Sequence, residues 1–287
     1  MEVTYATGKY TAAPLLAKPR PRAPLVSQLL FGEPVRILAV TPPYCRVEMA
    51  DDGTEGYILA DQLAPVDTAT FRAQVERPAF ALELFCPVFT DTYGLPVTFG
   101  ARLPHYDGLQ LRHGTQRFRY SGQALLTAQQ VPEPDLLLRL ARKWLYVPEF
   151  RGGRTPTGVG AGELIQLVAR LANLRLPREP AAMCQQGRGV DFVLQCQEAD
   201  LAFFQDDRGR IVHVGLILSG GQVLHVCGRV RIDPLDHFGI FDRERGRYSH
   251  RLRIVRRLLP DAPPEAAVEL GPKRTNAEEE SQQILIF

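Results

Sequence analysis

Hydrophobic and polar residues alternate in short runs over the first part of the chain. Val35-Arg36-Ile37-Leu38-Ala39-Val40 alternates over its first half, and Cys45-Arg46-Val47-Glu48-Met49 alternates again. Thr41-Pro42-Pro43 and Asp51-Asp52-Gly53 punctuate these runs as turns, and Gly56-Tyr57-Ile58-Leu59 reads as the next strand. Short strands separated by Gly, Pro and Asp turns predict a small β-barrel. Tyr44 and Tyr57 are expected to pack it. Residues 71–127 repeat the style, with Leu95–Leu103 followed by turns at Asp107-Gly108 and His113-Gly114. They predict a second, more diverged barrel, on which His105 and His113 are expected in surface loops. Residues 1–25, rich in Pro and basic side chains, are expected to form an irregular arm.

The period changes near residue 128. Glu133, Pro134 and Asp135 suit the first turn of a helix, and Leu137, Leu138, Leu140, Ala141, Trp144 and Leu145 form its apolar face up to Pro148. A Gly-rich loop, Gly152–Gly162, then opens into a second helix. Its apolar positions are Leu164, Ile165, Leu167, Val168, Leu171 and Leu174, the stripe of a helix buried along one side. A helix start of this kind favours negative charge, and so suits a nucleophile or an anion. Residue 161, at the junction, is Ala.

Further on, IVHVGLIL and QVLHVCG flank Ser219-Gly220-Gly221 as a hairpin. A three-residue loop pairs Leu218 with Gln222. His225 then falls opposite Gly215, and His213 opposite Cys227, all on one face. A two-residue loop would put the histidines on opposite faces. An odd-length loop is therefore expected. Arg251–Arg257 reads as a strand with one solvated face, residues 261–280 as a flexible tail, and Ile284–Phe287 as an apolar end docked on the body.

A formal net charge of +2 and the lack of any basic run argue against nucleic acid as a partner. The excess of Arg over Lys, 30 to 4, reflects genome composition rather than function. No apolar run approaches membrane-spanning length. The N-terminal residues lack the charged and apolar regions of a secretory signal, so the expected place is the cytoplasm, or the periplasm or wall if a signal has been removed. Five widely spaced Cys make neither a disulfide framework nor a zinc pattern. They are expected as reduced, mostly buried thiols. His213 and His225 have no companion at ligand spacing except Cys227, so neither a metal nor a cofactor is expected. His237 and His250 are read as surface or packing residues.

Two resemblances organise these observations. QLLFGEPVRIL followed by YCRVEMADDGTEGYILADQL resembles a bacterial SH3 (SH3b) domain through its LLFGE start and its DG-x-x-GY-I close. Residues 143–257 resemble the NlpC/P60 family of papain-like cysteine peptidases, which cleave the stem peptides of bacterial peptidoglycan. The matching pieces are RGGRTPTG, Asp200–Phe204, His213-Val214-Gly215 and the run LHVCGRVRIDPLDHFGIFD. Together they imply an α+β papain-like domain (128–260) behind two SH3b-like barrels (1–70 with the arm, and 71–127), with a tail at 261–287. The whole is similar to the bacterial γ-D-glutamyl-diamino acid endopeptidases.

In that family a Cys at the helix start is activated by the dipole and an imidazole, and a third polar residue orients the imidazole. The resemblance carries the imidazole onto His213 and the orienting residue onto His225, twelve positions on. The nucleophile falls on Ala161. Where the family has Asp-Cys-Ser-Gly this chain has Gly160-Ala161-Gly162-Glu163, and where it has Pro-Tyr-x-Trp-Gly-Gly this chain has Pro148-Glu149-Phe150-Arg151-Gly152-Gly153. A single Cys→Ala change would account for Ala161 alone. The expectation is a naturally degenerate, inactive homologue whose cleft, rimmed by Glu149, Arg151, Gly160, Gly162 and Glu163, binds a stem peptide, muropeptide or protein partner. The alternatives are an active hydrolase with a relocated thiol at Cys227, and an SH3b-tethered scaffold.

Overall fold

The computed structural model describes residues 4–127, 130–190 and 195–259. Its first unit is a seven-stranded antiparallel sheet. In spatial order the strands are Leu25–Leu30, Ala12–Leu16, Glu55–Leu59, Tyr44–Met49, Pro34–Thr41, Thr4–Gly8 and Leu63–Val66. Ala6, Leu15, Leu29, Val35, Val47 and Ile58 fill its core. The alternation read from the sequence therefore marks strands, but the path is open rather than a closed barrel among the described residues. The expected irregular arm is a correction. Thr4–Gly8 and Ala12–Leu16 are inner strands, and Ala6, Thr7 and Leu15 are fully buried. Pro and basic residues (Lys18, Arg20 and Arg22) cluster in the bend between Leu16 and Leu25, which masks the short strands around it.

A short helix, α1 (Thr68–Glu76), is capped by the Asp67 side chain accepting from the Thr70 amide at 2.7 Å. It leads to a four-stranded sheet in the order Gly94–Thr98, Phe85–Phe89, Gln116–Tyr120 and Gln110–His113, and to a separate pair, Ala79–Ala81 with Ala124–Leu126. This second region is also open, so the second closed barrel is corrected as well. His105 is an exposed loop residue as expected, but His113 is buried. Its Nε2 lies 2.9 Å from Thr7 Oγ1, and its ring packs on Phe31 with 4.8 Å between centroids. Turn residues after His113 suggested a surface position, but its strand faces the first sheet.

Behind these units, α2 (Pro134–Arg142) starts on Pro134 and buries Leu136, Leu137, Leu138, Leu140 and Ala141. The largest core joins α2, Trp144 and α3 (Ala161–Leu171) to a seven-stranded antiparallel sheet. The six strands on its main path are Arg188–Val190, Arg247–Arg257, Leu201–Gln205, Ile211–Leu218, Gln222–Cys227 and Arg229–Pro234. Gly239–Asp242 pairs beside Arg247–Arg257. A fourth helix, α4 (Pro180–Met183), closes the turn after α3. The tail expected from residue 261 lies outside the described residues.

The units are joined by buried charge. Arg154 Nη1 and Nη2 donate to the two Glu33 carboxylate oxygens at 2.7 and 2.8 Å, with both side chains fully buried. Arg170 of α3 pairs with Glu33 and, at 2.6 Å, with Asp51, while donating to the Gly100 carbonyl at 2.6 Å. Arg102 pairs with Asp51, and Arg178 with Asp52. Burial alone would raise the Glu33 pKa, but Arg154 and Arg170 hold its carboxyl far below the carboxylate range.

Two outcomes follow from this packing. Glu33→Gln leaves the buried Arg154 guanidinium without a carboxylate, with Arg170 held by Asp51 alone, and should cost about 3–5 kcal/mol in denaturant unfolding, little changed by added salt. A loss below about 1 kcal/mol would mean that the network is not what joins the units. Burial, with Lys9 nearby, pushes His113 from 6.5 down to about 4. A depressed folded pKa means that stability is present above pH 6.5 and is lost as pH falls towards 4. The contribution is on the order of 3 kcal/mol. Melting temperature measured between pH 7 and 4 should therefore fall less steeply in His113→Gln than in the unaltered chain. Parallel curves would refute the assignment.

Candidate functional site

The loop after α2 is built by a hairpin, Arg154–Thr155 with Gly158–Val159, whose register places Gly160 as the cap of α3. The Arg154 amide donates to the Gln28 side chain at 2.7 Å, and its guanidinium to the Gln28 carbonyl at 2.7 Å. The loop thus docks on the Leu25–Leu30 edge of the first sheet. Ala161 is the first residue of α3, and no side chain caps that helix.

On the sheet, Leu218 pairs with Gln222, Ile217 with Val223 and Leu216 with Leu224. The three-residue loop expected from the sequence is therefore present. Its consequence also holds: His213 Nε2 lies 3.2 Å from His225 Nδ1, with the rings edge to face. His225 Nε2 lies 2.9 Å from Asp233 Oδ2. Asp233 in turn pairs with Arg231, which also reaches Asp242 and Glu244.

The hydrogen-bond roles follow from Asp233. Burial raises its pKa, but His225 and Arg231 outweigh burial and keep it ionised. An ionised carboxylate only accepts, so His225 carries its proton on Nε2 and accepts at Nδ1. His213 then donates from Nε2 and keeps its Nδ1 lone pair. Burial, followed by His250 and His225, holds His213 well below its ordinary range, so it is neutral at pH 7. This is the wiring of a general base with two residues orienting it.

Asp233 was not among the residues singled out from the sequence. The signal was available. A turn at Gly228 pairs Cys227 with Arg229 and His225 with Arg231, which puts Asp233 diagonally beside His225 on the same face. His250 was read as a surface or packing residue. It is half-buried and stacks on His213, with 4.1 Å between centroids.

A cleft of about 400 Å³ runs past this array, and Ala161, Gly160, Gly162, Glu163, Glu149, Arg151 and His213 all line it. The cleft residues carried over by the resemblance thus share one site with the imidazole. Glu149 is less free than its charge suggests, since its carboxylate accepts from the Gly228 amide at 2.7 Å. Glu163 folds back over the helix start, where burial raises its pKa. A Cβ on Gly160 would overlap the Glu163 carboxylate, and a Cβ on Gly162 would overlap the Arg178 carbonyl oxygen. The junction is thus packed around two glycines.

Cys227 is half-buried at the end of its strand. Burial, then Glu149, push its thiol up. No hydrogen bond joins it to His213 among the described residues. Burial also raises Cys45, Cys86 and Cys196, the last to about 11. None of these environments makes a thiolate. Iodoacetamide at pH 7.5 should therefore label the chain roughly ten-fold more slowly than free cysteine. A thiol that reacts faster than free cysteine, mapped to Cys227 by peptide mass, would restore the relocated nucleophile.

Residues 149–244 match the NlpC/P60 family, and residues 15–63 match the bacterial dipeptidyl-peptidase SH3 domain. A γ-D-glutamyl-L-lysine dipeptidyl-peptidase of Bacillus subtilis (strain 168) is 26% identical over 112 residues. That stretch is 38% of this chain and 38% of the relative, so the match spans well under half of the relative's length. An NlpC/P60 family protein from Bacillus cereus ATCC 10987 superposes with a TM-score of 0.76 at 19% identity, over 89% of this chain and 100% of its own. An NlpC/P60 endopeptidase from Photobacterium damselae subsp. piscicida gives a TM-score of 0.60 at 13% identity, over 88% of this chain and 70% of its own. Both solved structures share this fold. Among the described residues no helix is long and apolar enough to cross a membrane.

Proposed function

We propose that this chain, which carries an NlpC/P60 domain behind an N-terminal bacterial dipeptidyl-peptidase SH3 domain, is a catalytically inactive relative of cell-wall endopeptidases that uses its cleft to bind peptidoglycan stem peptides. The observation that carries this reading is the helix start. Ala161 stands at the first position of α3, where a thiol would gain the dipole and share a cleft with the His213 base. A methyl group cannot attack a carbonyl, so the imidazole array has no nucleophile to deprotonate. The flanking residues support a settled loss rather than a single lesion. Glu163 occupies the space beside Gly160, and the Arg178 backbone occupies the space beside Gly162. Both would have to move before the family's larger residues fitted. The family relationship and the B. subtilis peptidase support a γ-D-glutamyl stem peptide as the ligand class.

Muropeptides incubated with the chain and read by mass spectrometry test the proposal. The unmodified chain should release no dipeptide. Ala161→Cys alone is the informative variant, because it leaves Gly160 and Gly162 in place. It should release product at least about 100-fold above the unmodified chain, since nucleophile and base then stand in one cleft. The unmodified chain should still bind the intact muropeptide in calorimetry. Product from the unmodified chain, abolished by Cys227→Ser, would overturn the inactive reading. Absence of muropeptide binding would overturn the binding role.

A further inference from the structure

We propose that His213, His225 and His250 form a divalent transition-metal site, with Zn²⁺ as the ion they suit best. One nitrogen from each ring can be chosen so that all three lie within 4.8 Å of one another. The pair His213 Nε2 and His225 Nδ1 is already 3.2 Å apart. Two imidazole nitrogens on one tetrahedral Zn²⁺ stand about 3.3 Å apart, given Zn–N bonds of about 2.0–2.1 Å. The spacing suits a shared ion once both rings tilt so that their lone pairs converge beside the N···N line rather than along it. Binding would shift the His213 proton from Nε2 to Nδ1 by exchange with solvent, so that Nε2 offers its lone pair and the ring stays neutral.

The surroundings favour an ion over an accident of packing. His225 presents its other nitrogen to Asp233 at 2.9 Å, the arrangement in which a carboxylate orients a metal-bound imidazole. Arg231, which shares Asp233 with His225, is neutralised by Asp233, Asp242 and Glu244. His250 supplies the third nitrogen from a strand of its own, Arg247–Arg257. It must turn out of its stack on His213 to do so. Its Nδ1 lies 2.9 Å from the neighbouring Ser249 hydroxyl, and the ring is half-buried. Three imidazoles without a carboxylate or thiolate select a borderline ion such as Zn²⁺, Co²⁺, Ni²⁺ or Cu²⁺ over Mg²⁺ or Ca²⁺. Three protein ligands leave a fourth position open, and His213 lines the cleft.

The proposal is independent of peptide binding, and its test reads the metal. The full chain, stripped with a chelator, is titrated with Zn²⁺ in competition with a chromophoric chelator and separately with Co²⁺. The expected result is one equivalent of Zn²⁺ bound with a dissociation constant below about 1 μM. A Co²⁺ visible spectrum with the strong bands of a four-coordinate ion should accompany it. His250→Gln should weaken binding at least ten-fold. Asp233→Asn should weaken it by roughly 10–100-fold. His237→Gln, an exposed histidine outside the cluster, should leave it unchanged. Absence of the Co²⁺ bands in the unaltered chain would overturn the proposal, whatever the variants do. So would Zn²⁺ binding that His250→Gln leaves intact.

Discussion

Everything at the cleft depends on the buried contact between three carboxylates and four guanidinium groups. Glu33 and Asp51 come from turns of the first sheet, Arg102 from the second region, Arg154 from the loop before α3 and Arg170 from α3 itself. Asp52 adds Arg178, whose position defines the far wall of the cleft. A buried ion pair is rarely a source of net stability over a hydrophobic pair, because desolvation offsets the attraction. What it supplies is direction. A bidentate Arg–carboxylate contact fixes orientation as well as distance. The loop ahead of Ala161 therefore cannot slide along the Leu25–Leu30 edge without stranding a buried charge. The first sheet in this chain is a wall of the site rather than a separate module on a tether, and the scaffold picture in which it acts alone fits the packing poorly.

That rigidity bears on the junction at the start of α3. A cleft whose loop is pinned at Arg154 and whose helix is pinned at Arg170 keeps its shape whatever side chain stands at residue 161. Glu163 folds back over residue 160 because that position lacks a Cβ, and Gly162 allows the Arg178 backbone to approach closely. Residues 160, 162 and 163 therefore form one packed unit.

The fold was readable wherever period and turn chemistry agreed. The loop Ser219–Gly221 fixed the register, the register put His213 and His225 on one face, and the structure brings their nitrogens to 3.2 Å. The amphipathic stripes of α2 and α3 were equally legible, although α2 ends at Arg142, before the Trp144 that its apolar face implied. Three features were hidden for physical reasons. Strands Thr4–Gly8 and Ala12–Leu16 are short, and the second carries Pro14, so local pattern reads them as arm, while pairing on both sides makes them core. Closure of a barrel depends on long-range strand geometry that alternation does not encode. His113 and His250 owe their burial to neighbours far away in sequence, Thr7 for one and His213 for the other.

Persistence of the imidazole array has its own physical cause. His213 and His225 are nearly as buried as the apolar core, at 7% and 1% exposure. Asp233, Arg231, Asp242 and Glu244 bind the array to two neighbouring strands. Removal of His225 would leave Asp233 short of a buried partner, which costs about 1–3 kcal/mol for a polar group and more for a charge. Ala161 has no such partners, since the helix start to which it belongs is uncapped and half-exposed. The imidazole array is therefore held by the fold itself, through partners on neighbouring strands, whereas nothing in the packing fixes which side chain stands at residue 161.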